Sequence, residues 1–206
     1  MARSFHIYTL SAALLLSVSF GICQGEEDAE ARRIGIIFEG SFESADIAKI
    51  PQGAKKTQYV ASYEWDYGVR SFSEKLWTER GFDWDKFMPV AMKLADSLAE
   101  SIEPQLVRDH RDVVEYALFS HEDPFLSSMV LSPIFYEKLK GTLGDELRVL
   151  IIDRHRIYVF PATGGTLEEY GEALVGDFID TNLPVSLEVF SLNANGLEVM
   201  GELERK

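Results

Sequence analysis

The chain is almost without cysteine. Of its 206 residues only Cys23 carries a thiol, which excludes an intrachain disulfide, a cysteine-based metal site and, downstream of residue 23, a thiol nucleophile. No Asn-x-Ser/Thr sequon is present. The common catalytic signatures are missing as well: there is no glycine-rich phosphate loop, no Gly-x-Ser-x-Gly elbow and no His-Glu-x-x-His. No pair of carboxylates stands out for glycoside hydrolysis. Positive charge is scarce, with 20 Lys and Arg against 34 Asp and Glu for a formal charge of -14. Phosphate backbones and anionic headgroups repel such a chain, so non-specific nucleic-acid binding is not expected. Internal repeats and low-complexity tracts are absent.

The N-terminus carries the most specific signal. Arg3 precedes an apolar stretch from Tyr8 to Ile22, and Cys23 to Gly25 then lead into Glu26-Glu27-Asp28. That is the three-part layout of a secretory signal peptide. Residues 1–24 are therefore expected to be removed, leaving 19 basic residues against 34 acidic ones, or -15. The expected location is periplasmic or secreted, with no stable membrane insertion after cleavage. The rival is an uncleaved anchor, since Phe5 to Cys23 is apolar apart from His6 and at the lower limit for spanning a bilayer. Lipidation at Cys23 fits poorly, because Ile22 stands where Gly, Ala or Ser would precede the acylated residue. An oxidising compartment would permit disulfides, but a chain of this length can build a core without them.

The fold reads from Glu146 to Phe160. Two apolar, β-branched runs flank the charged tetrad Asp153 to Arg156, the pattern of a hairpin. Leu147, Val149 and Ile151 fall on one face, and Leu150 and Ile152 on the other, which places these strands mid-sheet with both faces covered. Ile34 to Glu39 and Thr57 to Tyr67 read as strands, and Ser71 to Arg80 as a short helix. Asp83 caps a long helix with an apolar stripe of Phe87, Ala91, Leu94, Leu98 and Ile102. Pro89 falls in its second turn, and Pro104 ends it unless it continues towards Val107. Val113 to Phe119 reads as a strand, Ser132-Pro133 as a helix start closed by Gly141 or Gly144, and Thr166 to about Asp180 as a helix. Val185 to Leu192 and Leu197 to Leu203 form a hairpin across Asn193 to Gly196, nearer the edge and with one face wet. The sum is an α+β fold, a single domain over 25–206 with an antiparallel or mixed sheet, packed helices and a central hairpin at 146–160. Residues 25–70 can form an N-terminal lobe.

From Ser73 to Leu203 the order of features resembles the YtpQ-type family of uncharacterised bacterial proteins. The features are a Trp-containing helical segment, a helix rich in Ala and Leu, and a strand followed by an acidic turn. The runs Gly144-Asp145-Glu146-Leu147-Arg148-Val149 and Leu183-Pro184-Val185-Ser186-Leu187-Glu188-Val189-Phe190 complete it. The resemblance implies no activity.

Three groups of residues are candidates for function. His121, Glu122 and Asp123 are the densest set of acid–base groups, in a turn between strand and helix, where a histidine could work with a carboxylate; ordinary turn chemistry is the favoured explanation of them. Arg154, His155 and Arg156 make a basic spot that could bind an anion, or a solvated hairpin tip. The aromatics from Tyr59 to Trp84 suit either a binding groove or a core. The reading that follows is an exported, non-catalytic binding or interaction domain of the bacterial envelope, its partner an envelope protein or peptide. The alternative is a hydrolase using His121 with nearby carboxylates. No metal or cofactor is expected.

Overall fold

A computed structural model describes residues 33–164 and 166–204. The expected signal peptide, its anchor and lipidation alternatives and the lead-in before Arg33 lie outside the described residues, as does the Thr166 side chain. The elements run β1 (Ile34–Gly40), β2 (Ala48–Lys49), β3 (Thr57–Trp65), β4 (Gly68–Ser71), α1 (Glu74–Glu79), α2 (Trp84–Ser101), β5 (Gln105–Arg108) and β6 (Val114–Ser120). A 3-10 helix (Leu126–Leu131) follows, then α3 (Pro133–Leu143), β7 (Leu147–Asp153), β8 (Arg156–Pro161), α4 (Thr166–Asp180), β9 (Glu188–Asn193) and β10 (Gly196–Glu202).

Strands and helices alternate in an α+β arrangement, and the sheet pairing is antiparallel throughout. The large sheet has the order β10-β9-β7-β8-β6-β5, so the β7–β8 hairpin lies at its centre as its doubly apolar pattern requires. Val149, Ile151, Ile157 and Val159 face one core, and Leu150, Ile152, Tyr158 and Phe160 face a second. A smaller sheet is built on β3, which pairs with β1 along one edge and with β2 and β4 along the other. It shares the first core, where Phe38 of β1 meets Phe190 of β9 edge-on at 6.2 Å. Gly35 keeps β1 close to its neighbours, because a Cβ there would fall 2.7 Å from Phe125 and 2.9 Å from Leu94.

Local chemistry sets the helix starts. Asp83 accepts from the Lys86 amide at 2.9 Å and caps α2; Ser132 accepts from the Ile134 amide at 3.1 Å and caps α3, with Pro133 at a position that needs no donor. Along α2 the buried positions are Phe87, Ala91, Ala95, Leu98 and Ala99, and the three alanines let the helix approach β1 closely. Gly144, at φ 99°, closes α3.

Four expectations need correction. The helix expected from Ser71 begins at Glu74, and Gly68–Ser71 is instead the edge strand β4. The helix α2 ends before Pro104 as expected, but its alternative continuation towards Val107 does not form; Gln105–Arg108 becomes β5, since pairing with β6 satisfies its backbone where Pro104 bars a helix. The charged tip of the central hairpin is not fully solvated, because Asp153 is buried. Finally, β9 has no wet face: Ser186, just before it, and Glu188 are buried because the segment leading into β3 lies over them. Of the two strands of this hairpin, β10 is the exposed edge.

Candidate functional site

The large sheet brings two of the candidate groups together. Strands β6 and β8 are neighbours with Ser120 opposite Arg156, so the turn at His121 and the turn at Arg154–His155 emerge side by side. The His121 amide donates to the His155 carbonyl at 3.1 Å, and His155 Nδ1 donates to the His121 carbonyl at 3.0 Å.

Within this polar end almost every group is engaged in holding the fold. The Asp123 amide donates to His121 Nδ1 at 3.0 Å. Nδ1 of the His121 ring is thus engaged within its own turn. Asp123 accepts from the Phe125 amide at 2.9 Å and from Arg33 at 2.7 Å. Glu122 is exposed and makes no hydrogen bond among the described residues. Arg154 pairs with Glu39 of β1. Burial pushes the Glu39 carboxyl above its ordinary value, with Arg154 opposing that shift. Arg156 donates to Asp153 at 2.8 Å and lies 3.4 Å from Asp177 of α4. Among the described residues no three His, Cys, Asp or Glu side chains converge as metal ligands.

Arg33 is the hub that sequence reasoning missed. Its guanidinium grips Glu64 in a fork, at 2.8 and 3.2 Å, and reaches Asp123 with its third arm while lying 5.5 Å from the Phe125 ring centre. The hydrogen bond to Glu64 leads in raising its pKa, so Arg33 stays charged at any working pH. Asp123 is thereby a positioning residue: it fixes Arg33 at the mouth of an adjacent cleft.

That cleft encloses about 360 Å³ between the start of β1, the end of α1 and one wall of α2. Ile34, Phe72, Phe82 and Leu94 supply an apolar lining, Val90 the outer wall, and Arg33 and Arg80 the polar rim. Of the predicted aromatic segment, Phe72, Trp77 and Phe82 stack edge-on or tilted with one another and with Phe87 of α2 as core, 5.1 to 5.9 Å apart. Trp65 and Tyr67 lie instead at the β3–β4 tip, Tyr67 85% exposed, with Arg70 3.4 Å above the Trp65 ring. A larger cleft of about 590 Å³ opens beside Phe42, Ser186 and Leu203, but its cation, Lys56, is tied to Glu202. Of the basic side chains that line these clefts and the one beside Pro161 and Met200, Arg33, Lys56 and Arg148 have partners. Arg80 has none. Nothing in its local sequence announces this, since being unpaired depends on surroundings distant in the chain.

No protein-family model matches the chain, and no curated protein or solved structure matches it either. Among the described residues no helix is long and apolar enough to cross a membrane.

Proposed function

We propose that this chain is a non-catalytic binding domain of the bacterial envelope, exported by its N-terminal segment, with the cleft between β1, α1 and α2 as its ligand site. The observation that carries the reading is the contrast between two adjacent regions. His121 and Asp123 of the polar end are engaged in structural hydrogen bonds, whereas the cleft beside them presents apolar walls and an uncommitted cation. Its volume falls in the range of small-molecule sites, roughly 300–1,000 Å³, and its lining has the expected mixture of apolar surface with a few polar groups. The hydrolase alternative has no such support: His121 lines none of the described clefts.

The test is a thermal-shift screen of the purified chain against neutral, anionic and cationic small molecules with apolar bodies, alongside Val90→Trp. Val90 is 42% exposed on the outer wall, so the larger ring fills the cleft without entering the core. A ligand at about a hundred times its dissociation constant stabilises by roughly 2.7 kcal/mol, a rise on the order of 5–10 °C for a chain of this size. Hits should vanish in Val90→Trp. Hits that survive the substitution would move the site elsewhere, and silence across the panel would end the small-ligand reading.

A further inference from the structure

We infer that the cleft selects a monocarboxylate with an apolar tail, gripped at its charged end by Arg80; this deepens, and rests on, the binding reading above. The walls decide the tail. Ile34, Phe72, Phe82 and Leu94 offer no polar side-chain atom, so a polar body would be desolvated there without compensation. The rim decides the head. Arg33 is already balanced by Glu64 and Asp123, so it positions the rim and adds no net positive charge. Arg80 follows the last residue of α1, exposed, and its guanidinium has no partner among the described residues. Of its acidic neighbours in sequence, Asp83 is engaged by Lys86 at 3.2 Å, and neither Asp83 nor Glu79 lines the cleft. One uncommitted guanidinium against an apolar wall is matched by one carboxylate on an apolar chain, through a two-pronged hydrogen bond. A dianion such as a phosphate monoester would keep an uncompensated charge, and a cation would meet Arg80 directly. In a chain of net charge -14, whose overall field repels anions, selection of an anion has to come from such a local feature.

The experiment measures binding of octanoate, octanol and octylammonium to the purified full chain by calorimetry, at low and high salt, in the wild type, Arg80→Ala and Val90→Trp. Octanoate should bind most tightly. Arg80→Ala should weaken it about fivefold or more, the scale of a partly exposed charge-assisted contact, and leave octanol within about twofold. Salt should weaken octanoate and not octanol. Arg80 is exposed, so the substitution does not threaten folding, and an unchanged melting temperature without ligand checks this. If octanol or octylammonium binds as well as octanoate, and Val90→Trp abolishes that binding, the carboxylate preference is overturned while the cleft stands as a ligand site. Octanoate binding unaffected by Arg80→Ala removes Arg80 from the site. If none of the three probes binds, the inference falls; it takes the binding reading with it only if the wider panel is also silent.

Discussion

The two faces of the six-stranded sheet are covered very differently. On the first, Val149, Ile151, Ile157, Val159 and Phe190 pack against the smaller sheet, α2, the 3-10 helix and α3 in one continuous core. On the second, Leu150, Ile152, Tyr158, Phe160, Leu187 and Val189 are covered mainly by α4. That helix buries only Leu174 fully, while Leu167, Tyr170, Val175 and Phe178 are half-buried. It also carries Gly171 and Gly176, which cost helix stability without serving a close approach, since nothing lies within 4 Å of a Cβ at either position. Polar clamps make up part of the difference: Tyr170 donates to Glu115 at 2.6 Å, and Asp177 accepts from Tyr158 at 2.5 Å and pairs with Arg156. A strand pair apolar on both sides therefore shows that both faces are covered, without showing that they are covered equally well.

A like-for-like truncation is the strongest way to break this comparison. Leu139 of α3 and Leu174 of α4 are both buried helical leucines, one on each face. Leucine-to-alanine changes in cores cost about 2–5 kcal/mol, more where the surroundings cannot collapse into the cavity. Leu139→Ala should lie near the top of that range and Leu174→Ala near the bottom, as read by urea denaturation. Equal losses would show that α4 is packed as tightly as α3. Native-state hydrogen exchange gives the same contrast without mutation, with α4 amides opening at lower free energy than those of α2 and α3.

The division between legible and hidden features follows the range of the interactions. The hairpins at Asp153–Arg156 and Asn193–Gly196 and the caps at Asp83 and Ser132 arise from neighbours in sequence, and the pattern shows them. Strands β4 and β5 are too short to carry a period of their own, and exist because β3 and β6 offer them edges. Glu188 looks solvent-facing in the alternation of β9, but its carboxylate accepts from the Lys55 and Lys56 amides at 2.7 and 3.1 Å and is buried beneath them. The candidate site divides the same way. His121 to Asp123 and Arg154 to Arg156 were visible as polar clusters, but their engagement depends on Arg33, Glu39 and Asp177, which no local motif points to.

A smaller effect sharpens the comparison from the opposite direction. If α4 is the weaker cover partly because of its glycines, Gly171→Ala and Gly176→Ala should each stabilise the protein. Glycine within a helix costs about 0.5–1 kcal/mol relative to alanine, so each change should raise the melting temperature by roughly 1–4 °C. Gly141→Ala in α3, also in open space, serves as the control on the well-covered face. A loss of stability at either α4 position would show that the helix needs the missing side chain to sit where it does.

The smallest effect isolates one clamp by its pH dependence. The hydrogen bond to Glu115 pushes the Tyr170 hydroxyl up to about 12 from an ordinary value of 10.0. In the unfolded chain the phenol ionises at its ordinary value, while in the fold it holds its proton longer. The stabilisation is thus fully present below pH 10 and is lost as the pH rises from there through about 12. Tyr170 sits near the surface, so solvent screens much of the effect, and the signal to seek is a difference in slope. Over that window the urea midpoint of the wild type should fall more steeply than that of Tyr170→Phe. Tyr158 is also raised, by burial first and by its bond to Asp177 second, so Tyr158→Phe should leave the Tyr170 contribution in place. Parallel slopes for the wild type and Tyr170→Phe would mean that the Glu115 clamp adds nothing, leaving the Asp177 clamps, Leu174 and the half-buried apolar side chains to hold α4 on the second face.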